Sequence, residues 1–92
     1  MNHEYPDLET LRNELQALDL QILLLLLDRF KLTHDMGQLK KEQKMDAFQE
    51  GEWQRKINLL SDYLEGNPFT DEILRVFYHI HNESVRIQEK SQ

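Results

Sequence analysis

The 92-residue chain contains three Gly, two Pro, no Cys and sixteen Leu, and its eleven Lys and Arg against seventeen Asp and Glu leave it at a formal −6. A chain of this length makes one small domain that buries only roughly 60–65% of its unfolded surface, so a partner chain would help it. The composition excludes a turn-rich β sandwich and a disordered linker, and the missing cysteines exclude a disulfide scaffold, a thiolate zinc site and a cysteine nucleophile. The acidic balance argues against nucleic acid or an anionic membrane as the main partner.

The N-terminal MNHEYPDLET has no basic stretch leading into an apolar one, so no secretory or transit signal is expected and a cytoplasmic location is the default. From Pro6, which suits a first helical turn, Leu8, Leu11, Leu15, Leu18, Ile22, Leu25, Arg29, Leu32, Met36 and Leu39 follow in alternating steps of three and four. That is a heptad seam, and it predicts one long helix over about residues 6–42. The most apolar run, Ile22 to Leu27, is six residues long and ends at Asp28, far short of the ~20 residues a membrane span needs.

A second helix is predicted over about 49–64, with Trp53, Ile57, Leu60 and Leu64 on one face and Glu50 and Glu52 in its first turn. Gly66, Asn67 and Pro68 end it. Thr70 reads as the N-cap of a third helix over about 70–89, whose buried face is Ile73, Phe77, Ile80, Ser84 and Ile87. The expected architecture is a single all-α domain spanning 1–92, three helices per chain. A first helix of this length measures about 54 Å, whereas a compact chain of this size has a radius of gyration near ~12 Å. The other two helices cover only part of its seam, which predicts a twofold dimer with the long helices packed on each other.

Polar residues interrupt the apolar pattern at a few positions, where function tends to lie. Arg29 occupies the seam, and Lys40, eleven residues on, returns to the same helix face about 16 Å away, so two long cationic side chains converge on one small anion. Five cations and two anions between Arg29 and Lys44 give a local +3, which leaves −9 on the rest of the chain. On the third helix His81, Ser84 and Gln88 form a polar stripe, read as the hydrogen-bonding wall of a pocket. His79 and His81 point about 200° apart with no third ligand at a helical spacing, so neither a metal nor a cofactor is expected. No phosphate loop or paired nucleophile and base is present.

The run LRNELQALDLQILLLLLDRFKLTHDMGQLKK, with its Leu-Arg, its arginine after a leucine-rich stretch and its Gly-x-x-Lys, resembles the first helix of the all-helical chorismate mutases. IHNESVRIQ resembles that family's closing Ser-x-x-x-Gln. The resemblance implies an intertwined six-helix homodimer that rearranges chorismate to prephenate in phenylalanine and tyrosine biosynthesis. It implies Arg29 and Lys40 on the substrate carboxylates, Lys40 and Gln88 on the ether oxygen, Ser84 assisting a carboxylate and Arg12 entering from the other chain. Helical spacing agrees on the last point, since Arg12 lies about 42 Å from Lys40 along one helix. In the second helix the family has an acidic residue followed by Arg-Glu, where this chain has Gln49, Glu52 and Trp53; Gln49 still offers a hydrogen bond to a substrate hydroxyl. The alternative is a weak or inactive relative that docks on another enzyme of the same pathway.

Overall fold

The computed structural model describes residues 6–91, with side chains as far as residue 90; residues 1–5, on which the leader reading partly rests, lie outside that range. It has three helices, α1 (Leu8–Glu42), α2 (Glu52–Tyr63) and α3 (Thr70–Ser91), and no strand among the described residues. The fold is all-α with a long first helix, the class that the heptad spacing predicts. The chain divides into two compact units, 1–31 and 32–92, and α1 contributes to both.

In the first unit, α1 begins where Asp7 accepts the backbone N–H of Thr10 at 2.8 Å, satisfying one of the donors that a helix start leaves open. That backbone N–H first, and the Thr10 side chain second, hold the Asp7 carboxyl below its ordinary value of 3.8. A depressed folded pKa means that the cap stabilises fully above the unfolded value near ~4 and that its contribution disappears as pH falls through the lower folded one. Circular dichroism of the wild type should therefore lose helix stability on acidification through that window, while Asp7→Asn, which keeps a side-chain oxygen, should not show the step. Along this part of α1 the leucines are exposed: Leu15, Leu18, Leu24 and Leu25 keep 54–67% of their surface.

The second unit contains the end of α1, then α2 and α3. Its first connection is longer than expected, because α2 starts at Glu52 and not near Gln49. The reason is Gly51, whose φ of 89° is left-handed and stops a helix from passing through it, although a Cβ there would meet nothing within 4 Å. Gln49 sits in the turn before the helix, its carbonyl accepting Glu52 N–H at 3.3 Å. At the start of α3 the Thr70 hydroxyl does not cap its own helix. Its single proton is shared between the carbonyls of Asn67 at 2.7 Å and Leu64 at 3.1 Å, tying α3 to the connection that follows α2. Asn67 Oδ1 accepts Phe69 N–H at 2.8 Å, an Asx turn just ahead of α3.

α2 and α3 pack through aromatic rings. Trp53 meets Tyr78 edge-on at 5.6 Å between centroids and His81 at 5.0 Å with a 36° tilt. The most buried described residues are small or polar: Gln88 is 5% exposed, Ser84 4%, Thr33 6% and Ala47 7%, with Gly37 also buried. Buried polar groups in place of leucines are the informative exception in so small a domain. None of the buried side-chain nitrogens and oxygens among the described residues lacks a hydrogen-bond partner.

Candidate active site

Lys40 lies in the last turn of α1, three residues after the buried Gly37 and seven after the buried Thr33, a spacing that puts all three on one helix face. Its ammonium donates to Gln88 Oε1 at 2.5 Å and to the carbonyl of Ala47 at 3.0 Å. Both acceptors are neutral, so the positive charge is held in place without being cancelled. With Oε1 engaged, the Gln88 amide still has Nε2 to donate, and Lys40 has a third N–H. The pair thus retains two donors, one of them charged, beyond the bonds it makes here.

Ser84 is one turn before Gln88 on the same face of α3, and its hydroxyl donates to Ile80 O at 2.8 Å, the back-bond common for serine inside a helix. His81, a further step back, rests against Trp53. The stripe read from the sequence is therefore two buried polar residues and a half-buried histidine under an indole. Gln49 is half-buried in the turn ahead of α2. Glu52 is exposed in the first turn of that helix and ion-paired with Arg55 at 3.1 Å, a contact worth little to stability at such exposure.

Arg12 and Arg29 belong to the first unit. Arg12 is exposed on α1. Arg29 is half-buried, and that burial lowers its pKa, although a guanidinium stays charged throughout the working range. Of the six residues singled out from the sequence, the structure joins Lys40 and Gln88 directly and places Ser84 beside them in register. It adds Ala47 and Thr33, which sequence reasoning missed, and buries Gly37 of the Gly-x-x-Lys motif. The spacing of Thr33 and Gly37 from Lys40 was a usable signal; the Ala47 contribution is a backbone carbonyl and has none.

In the second unit the half-buried Lys40 is thus hydrogen-bonded to the buried Gln88, one turn from the buried Ser84. The family model described as chorismate mutase type II matches residues 11–89, and the chain belongs to that family. No curated protein and no solved structure gives a significant match. Among the described residues no helix is long and apolar enough to cross a membrane.

Proposed function

We propose that this chain is a cytosolic chorismate mutase that converts chorismate to prephenate for aromatic amino-acid biosynthesis, acting as a homodimer. The observation that carries the reading is the Lys40–Gln88 hydrogen bond, which fixes a half-buried cation against a buried amide. The rearrangement is concerted and requires no nucleophile, proton shuttle or metal. It requires the enolpyruvyl arm held over the ring and hydrogen-bond donors where the breaking C–O bond leaves electron density. Lys40 and Gln88 are donors of the required kind for the ether oxygen. Arg29, with Arg12 from the second copy and Ser84, holds the carboxylates of the dianion, and Gln49 addresses its hydroxyl.

The dimer finds its support in the first unit. Ten large apolar residues between Leu8 and Leu27 are exposed in the single chain. Burying them even halfway contributes on the order of 10 kcal/mol per chain, comparable with the whole stability of a small domain. A second copy, offering the same stripe by twofold symmetry, is the occupant we propose.

The docking-subunit alternative rests on Glu52, an anion where the family has an arginine. That carboxylate is engaged in solvent by Arg55 and not by Lys40, which favours the enzymatic reading. Wild type and Glu52→Arg, assayed side by side for loss of chorismate absorbance, separate the two. Catalysed turnover in the wild type is the expected result. An inactive wild type that gains activity on Glu52→Arg would overturn it in favour of the docking subunit.

A further inference from the structure

Lys40 is tied to its surroundings at both ends. Beyond α1 the chain reverses at Lys44, whose φ of 58° is left-handed. Lys44 N–H donates to Lys41 O at 3.1 Å and Met45 N–H to Lys40 O at 2.7 Å. These two bonds are those of a Schellman closure, in which the left-handed position is ordinarily glycine. The closure holds the backbone of Lys40 and turns the chain so that Ala47, two residues past Met45, brings its carbonyl onto the Lys40 ammonium. Ala47 is 7% exposed and the one apolar residue so deeply buried among those described, so the turn is packed down and does not merely hang over the site.

We propose that the 43–47 turn is the positioning device of the Lys40 ammonium, with the left-handed backbone of Lys44 as its latch. When the turn is closed, Ala47 O and Gln88 Oε1 occupy two of the three ammonium N–H groups, and the third points along the one direction left to it. When the turn opens, the Ala47 acceptor is lost and the side chain regains its rotamers. A residue with a Cβ pays a steric penalty in the left-handed region that glycine does not. The population of the closed turn therefore depends on which residue stands at position 44. Asparagine adopts that conformation readily and β-branched valine resists it.

The inference rests on Lys40 being the catalytic cation, so its test carries one readout that needs no catalysis. Lys44→Asn and Lys44→Val both remove the charge, but only the second opposes the backbone conformation. Acylation of Lys40 by a small amine-reactive reagent, followed by mass spectrometry, is expected to be several-fold faster in Lys44→Val than in the wild type, with Lys44→Asn close to wild type. On chorismate, Lys44→Val should lose about tenfold in kcat, equivalent to ~1.4 kcal/mol of barrier, with KM moving less. Lys44→Asn should restore most of that loss. Equal acylation in all three proteins overturns the proposal, as does a Lys44→Asn protein as defective as Lys44→Val, which would assign the effect to charge. Should the wild type turn over no chorismate, the functional reading fails, while the acylation contrast still decides the role of the turn.

Discussion

Lys40→Ala is expected to lower kcat for chorismate by about 10²–10³, the typical loss when one donor to a developing oxyanion is removed. The argument rests on what remains. Gln88 Nε2 can still donate, but a neutral amide alone does not supply the charge that the breaking C–O bond rewards. The substitution also strands Gln88 Oε1, in a residue only 5% exposed, and the Ala47 carbonyl. An unsatisfied buried acceptor costs about 1–3 kcal/mol, which lowers Tm by at least ~4 °C in a domain of this size. The two effects separate in one set of measurements, since a stability loss alone leaves kcat per folded molecule unchanged. An unaltered kcat in folded Lys40→Ala protein would remove Lys40 from the catalytic step.

What the amino-acid sequence makes legible depends on the kind of signal. The long helix is legible, because alternating steps of three and four from Leu8 to Leu39 admit one periodicity only. So is the polar stripe, since Ser84 and Gln88 sit where that periodicity calls for apolar side chains. The start of α2 is not. Glu50 and Glu52 look like an acidic first turn, and nothing in their spacing reveals that Gly51 between them takes a positive φ. Thr70 has the composition of an N-cap, yet a hydroxyl can donate as well as accept, and the carbonyls of Leu64 and Asn67 in the α2–α3 connection claim it. The turn at Lys44 and Ala47 is illegible for a related reason. Its work is done by backbone groups, which every residue carries alike. Side-chain chemistry is readable from spacing, whereas backbone conformation in the connections is not.

The chain's small size links its stability to the proposed catalytic site. The second unit devotes its most buried positions to Thr33, Ala47, Ser84 and Gln88 and not to large apolar side chains. Polar groups in those places hold position through hydrogen bonds that contribute only about 0.5–1.5 kcal/mol each, so the apolar driving force has to come from elsewhere. In the proposed dimer the first unit would carry it, on leucines that a single chain leaves in water.

The double variant Leu18→Gln/Leu25→Gln tests that division. Both residues are exposed in the single chain, at 54% and 67%. Glutamine has nearly the helix propensity of leucine, so in a monomer each change should stay within about 0.5 kcal/mol. In a twofold dimer through the seam the same changes put four amides into an apolar interface. Each then loses about 1.5–3 kcal/mol of leucine burial, for a total on the order of 6–12 kcal/mol per dimer. Sedimentation equilibrium should find the wild type dimeric and the variant monomeric at the same concentration. The wild-type melting temperature should rise with protein concentration, as linkage to association requires, and the variant should lose that dependence together with its activity, because in the proposed dimer Arg12 arrives from the second copy. A wild type that sediments as a monomer, or a variant that stays dimeric and active, would refute the seam as the interface.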